Sequence, residues 1–102
     1  MNVPDTNVES MTLVDFSGLH IPAICVYDHP LDFPQKIVAR PLELATGQMA
    51  NFHTEYKTLE ECRNDLAAAG FTVIIPRDQK DDRYIVETHL TATSAFMLCH
   101  FF

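Results

Sequence analysis

Thr58-Leu59-Glu60-Glu61-Cys62-Arg63-Asn64-Asp65-Leu66-Ala67-Ala68-Ala69-Gly70 is the stretch whose reading decides the fold. Thr58 stands where its hydroxyl can accept from the amide of the third helical residue, while Glu61 reaches back to the amide of Thr58. Both glutamates also favour the positive end of a helix dipole. The spacing predicts a helix over residues 59–69, closed by Gly70 in a left-handed cap. Leu59, Cys62, Leu66 and Ala69 recur on one face, against Glu60, Arg63, Asn64 and Asp65 outside it. A helix this short is marginal alone in water, so its apolar stripe has to rest on a sheet.

Outward from that helix the pattern changes to a period of two. In residues 51–57, Phe52, Thr54 and Tyr56 point one way and Asn51, His53, Glu55 and Lys57 the other, which predicts a strand with one wet face. Residues 37–44 read as the strand before it, ragged at Pro41, with Thr46 and Gly47 turning the chain into a hairpin. Beyond the helix, residues 71–75 are apolar and β-branched, residues 76–82 form a charged connection, and residues 84–90 alternate Tyr84, Val86, Thr88 and Leu90 against Ile85, Glu87 and His89. These predict a second hairpin. Residues 21–27 suit a strand buried on both faces, with Pro22 keeping its start out of the ladder, and residues 12–16 suggest a further short strand. The expected fold is α+β, a mainly antiparallel five-stranded sheet in β-β-β-α-β-β order with one helix packed on one face. Residues 1–10 read as a flexible leader and residues 11–90 as a single domain. Residues 91–102 form an apolar tail whose Phe96, Met97, Leu98, Phe101 and Phe102 must pack back or meet a partner.

Composition narrows the function. A chain of 102 residues has room for one core. Fourteen acidic against seven basic side chains give a formal charge of -7, a field that repels phosphate backbones, so no direct nucleic-acid binding is expected. Residues 1–10 have neither the basic head nor the apolar run of a signal peptide, and the apolar tail is shorter than the ~20 residues of a membrane span. Cys25, Cys62 and Cys99 are an odd set with no close pair, read as reduced, buried thiols of a cytoplasmic protein.

Catalytic motifs are missing from the chain. There is no Cys-x-x-Cys or His-x-x-x-His pair, no Gly-x-Ser-x-Gly elbow and no Gly-Lys-Ser phosphate loop, so no cofactor, metal or catalytic residue is assigned. The enzymatic alternative is a small metal-dependent or thiol enzyme. It would use His53, Glu55, Glu87 and His89 if their strands were neighbours, or Cys25 or Cys99 beside a histidine. The leading expectation is a small acidic interaction protein, non-catalytic and of the inhibitor or regulatory-subunit kind, whose partner is another protein or a second copy of itself. Its candidate binding residues are Asp28, His29, Asp32 and Phe33, in a loop stiffened by Pro30 and Pro34, together with Glu60, Asp81 and Asp82 on the acidic surface.

Asp32-x-Pro34, Lys36-Ile37-Val38-Ala39-Arg40, Thr58-Leu59-Glu60-Glu61 and Asp81-Asp82-x-x-Ile85-Val86-Glu87 together resemble a group of small bacterial and phage-type proteins whose function is not assigned. The resemblance spans residues 24–90 and implies a stand-alone domain rather than a mechanism. Pro41 and the apolar tail depart from the group's pattern.

Overall fold

The computed structural model describes residues 5–101. Its strands are β1 (Thr6–Asn7), β2 (Pro22–Asp28), β3 (Ile37–Glu43), β4 (Gln48–Met49), β5 (Phe52–Tyr56), β6 (Val73–Pro76) and β7 (Ile85–Leu90); its helices are α1 (Leu59–Ala68) and α2 (Ala92–Phe101). The sheet runs β1-β5-β3-β2-β7-β6, with β4 beside the far end of β3. The architecture is α+β as expected, and both hairpins form, β3 with β5 and β6 with β7. The five-stranded antiparallel sheet needs correction. It is a seven-stranded mixed sheet, because β4 is added and β1 joins β5 in parallel. The added strands are two residues each, too short for any alternation to register in the sequence.

Helix α1 is built as its caps dictate. Thr58 Oγ1 accepts from the Glu61 amide at 3.1 Å, while the Glu61 carboxylate reaches one residue further back than expected, to the Lys57 amide at 3.3 Å. At the other end Gly70 takes φ +96°, and the bonds Gly70 N to Ala67 O and Phe71 N to Leu66 O complete a Schellman motif. Phe71 thereby drops into the core beside Leu66.

Strand register sorts the side chains onto two faces. Ala39, Val26 and Glu87 lie in one row across the sheet, Pro41, Ile24 and His89 in the next, and Arg40, Cys25 and Thr88 in the row between, on the opposite face. Ile24, Val26, Ile37, Ala39 and Tyr56 face α1 and meet Cys62, Leu66, Phe71 and Met11 in the core. Leu59 and Ala69 pack against that cluster, so all four residues of the predicted stripe are used.

Residues 12–16 do not form a strand. Met11–Leu13 is a 3-10 turn, capped by Ser10 and pinned to the helix by Asp65. The Asp65 carboxylate accepts from Ser10 Oγ, from the Met11 amide at 2.9 Å and from Tyr56 Oη, so Asp65 is not an idle outer residue. Residues 1–4 of the predicted leader lie outside the described residues. Residues 5–10 contribute β1 and the Ser10 cap, with Val8 N bonded to His53 O at 2.8 Å. β3 passes through Pro41 because the residue faces the break between β4 and β5. There the Pro41 carbonyl accepts from Ala50 at 2.9 Å, and the missing amide donor falls where the ladder is already interrupted. The tail forms α2. Ser94 Oγ ties it to the Pro22 carbonyl at 2.8 Å, but Phe96 is 64% exposed. Among the described residues no helix is long and apolar enough to cross a membrane.

Candidate functional site

Asp28 closes β2 against Tyr84 (Asp28 N to Tyr84 O, 2.8 Å), and His29 then takes a left-handed φ of 49° that turns the chain. The loop that follows is tied across its base and through its tip: His29 N donates to Lys36 O at 3.0 Å, Phe33 N to Pro30 O at 2.9 Å and Lys36 N to Phe33 O at 3.1 Å. Two prolines and these bonds restrain the loop's backbone. It folds over the sheet face away from α1, placing the Phe33 ring 4.7 Å from that of His53.

Beneath the loop is a cavity of about 330 Å³. Tyr27, Val38 and Arg40 form its floor, the loop residues from Pro30 to Phe33 one wall, and Asp82 and Tyr84 the other. Burial pushes the Tyr27 hydroxyl up to about 12, so it is a neutral donor and acceptor at ordinary pH. Arg40, the basic member of this lining, is already engaged: Nη1 and Nη2 donate to Asp5 at 2.9 and 2.6 Å, and Nη1 also donates to the Ala50 carbonyl at 3.1 Å. The Arg40 guanidinium holds the Asp5 carboxyl well down, at about 2. His53, only 2% exposed, shares a hydrogen bond with Glu55 at 2.9 Å. Its Nδ1 lies 2.9 Å from Asp5 Oδ1 without the alignment of a hydrogen bond. Asp32 and Asp82 are exposed at the rim.

Of the predicted binding residues, Asp32, Phe33 and Asp82 come together in this cavity. Asp28 and His29 instead pair with each other beside it. The Asp81 carboxylate is turned inward on its own loop, accepting from the Asp78 amide at 3.0 Å. Glu60 lies on α1, across the sheet. In the sequence Tyr27, Arg40 and Tyr84 stand out only as strand residues, and Asp5 as part of the leader. No local pattern marks a floor assembled from two strands with walls from two connecting segments.

The enzymatic quartet does not assemble. His53 belongs to the row of Arg40 and Cys25, whereas Glu87 and His89 belong to the rows of Val26 and Ile24, so the two pairs occupy opposite faces with β3 and β2 between them. His53, Glu87 and His89 are buried and Glu55 is half-buried. Glu87 is 3% and His89 1% exposed, covered on the helix side, where Arg63 reaches Glu87 with two bonds at 3.0 and 2.6 Å and His89 Nε2 shares a third at 2.5 Å. The Arg63 guanidinium holds the Glu87 carboxyl below its ordinary value. This cluster fastens the helix to β7. Among the described residues no group of three or more His, Cys, Asp or Glu is arranged to hold a metal ion.

The three thiols are free. Cys25 and Cys62 are buried, and burial raises both, Cys62 to about 12. Cys99, expected to be buried, is exposed on α2, where the helix turns it away from the sheet.

No known protein family, curated protein or solved structure matches this chain.

A second cavity of about 380 Å³ lies beside β4, lined by Leu42, Met49 and Phe52 among others. Its carboxylate, Glu43, is consumed by the His20 and Ile21 amides, which leaves few polar groups to orient a ligand.

Proposed function

We propose that this chain is a small cytoplasmic interaction domain that acts by binding another protein, in the manner of an inhibitor or regulatory subunit, and that the cavity under the 28–34 loop receives the partner's anchoring side chain. The observation that carries the reading is the preorganised, aromatic-walled cavity formed by Tyr27, Phe33 and Tyr84 beneath a loop held by three internal hydrogen bonds. A rigid loop loses little entropy on binding, and pockets of this kind seat the residues that dominate interface energy. A volume near the lower end of the roughly 300–1,000 Å³ typical of ligand sites suits one or two side chains better than a large cofactor. Free thiols favour a reducing compartment.

The test compares proteins retained from native lysate by the wild-type chain, by Phe33→Ala, by Leu31→Lys and by the control Leu13→Lys. Leu31 is 77% exposed at the loop, so its replacement leaves the fold intact. Leu13 is exposed in the 3-10 turn, away from the cavity. A partner held by the wild type and the control but lost by both loop variants is expected. An identical set for all four chains overturns the proposal.

A second reading, self-association through α2, draws on the exposure of Phe96. It predicts that Phe96→Ser lowers the sedimenting mass at high concentration.

A further inference from the structure

Resting on the docking proposal above, we infer that the cavity's ligand is a cationic side chain, with arginine preferred over lysine, presented by an exposed basic segment of the partner protein. Two features independent of the loop's stiffness point to positive charge.

The first is the balance of the lining. Asp32 and Asp82 stand exposed at the rim, with Glu55 close behind His53, while Arg40 spends both terminal nitrogens on Asp5 and Ala50. An incoming anion would meet two carboxylates with no cationic partner, Asp82 accepting only from the Tyr84 amide, and a guanidinium already paired with Asp5, whereas a cation meets charge of the opposite sign. The chain as a whole, at -7, steers in the same direction.

The second is the aromatic walls. Tyr27, Phe33 and Tyr84 line the cavity, and a guanidinium binds aromatic rings by stacking and by attraction to the ring quadrupole. The Tyr84 ring already holds one in this way. The Arg83 guanidinium carbon lies 4.8 Å from its centroid and Nη2 donates to its hydroxyl at 2.7 Å, although Arg83 is not among the cavity's lining residues. Arginine is preferred to lysine because its planar fork serves a ring and a carboxylate together, whereas an ammonium is a compact, strongly hydrated point charge.

The test is titration of the isotope-labelled full chain, followed by amide resonances, with three peptides identical except at two central positions: both arginine, both lysine or both glutamate. The arginine peptide is expected to shift Tyr27, Phe33, Val38 and Tyr84 saturably, to bind more tightly than the lysine peptide, and to weaken as salt is raised. Tyr84→Leu should weaken it about fivefold, and Asp32→Asn and Asp82→Asn about threefold each. Glu60→Gln, on α1, should leave binding unchanged. Asp32 is exposed, so its variant keeps the test decisive if Tyr84→Leu fails to fold. The inference is overturned if no peptide saturates, if the glutamate peptide binds as well, if lysine binds more tightly than arginine, or if the shifts centre on α1. Should the arginine peptide fail while Phe33→Ala still strips a partner from the lysate, the charge assignment falls and the docking proposal stands.

Discussion

The two faces of the sheet share the same strands and differ in what lies on them. On one, α1 and the 3-10 turn cover Ile24, Val26, Ile37 and Ala39 so fully that even Glu87 and His89 are shut in. On the other, Tyr27, Val38 and Arg40 have only the 28–34 loop and the β6–β7 connection above them, and a cavity is left. A regular helix presents an apolar stripe that interdigitates with the sheet, whereas a proline-stiffened loop holds its own shape and cannot collapse onto the surface beneath it. One face is therefore sealed by packing and the other keeps a cavity.

The contrast is broken most forcefully by truncating the helix face. Leu66→Ala should cost about 3 kcal/mol and lower Tm by roughly 15 °C in a thermal melt. Glu87→Gln should cost about 2 kcal/mol, because it gives up the charge-assisted bonds from Arg63 while leaving Arg63 half in water to rehydrate. The same pair sets the acid limit. Since the folded-state Glu87 pKa is depressed, its stabilisation is complete above the unfolded value of about 4.3 and is lost as pH falls through the lower folded one. Stability of Glu87→Gln should accordingly fall less steeply with acid than that of the wild type in denaturant titrations at pH 3 to 6.

On the cavity face the effects are smaller. Asp5→Asn should cost at most about 1 kcal/mol, because the pair with Arg40 is partly solvated. Hydrogen exchange should quicken at the Thr6 and Val8 amides, which β1 docking protects. In the wild type the Asp5 contribution is present above the unfolded carboxyl value of about 3.9 and is lost as pH falls toward about 2. Leu31→Ala, at an exposed loop position, should stay within about 0.5 kcal/mol of wild type. A loss there to match that of Leu66→Ala would erase the difference between the faces.

The sequence discloses the helix face more fully than the cavity face. Caps and apolar spacing are local, so Thr58, Gly70 and the stripe from Leu59 to Ala69 can be read without knowing the sheet. The alternation of residues 84–90 is legible too, but not its surroundings. Glu87 and His89 look like a wet face until Arg63, more than twenty residues earlier in the chain, is seen to pair with Glu87, which in turn holds His89. The cavity is legible only in part. Asp32, Phe33 and Asp82 stand out by type, whereas Tyr27, Arg40 and Tyr84 acquire their role from strand order, which no period-two pattern encodes. β1 escapes because two residues carry no period, and its docking depends on Asp5 meeting Arg40 across thirty-five positions.

The three native thiols report on the division directly, since Cys62 lies on the buried side of α1, Cys25 on the opposite face of the sheet and Cys99 on the outside of α2. Labelling the folded chain with a thiol reagent and reading each site by mass spectrometry should find Cys99 modified first, Cys25 later through local opening, and Cys62 last, at the rate of global unfolding. Cys62 reacting as fast as Cys99 in the native state would contradict a sealed helix face, and with it the assignment of function to the other side.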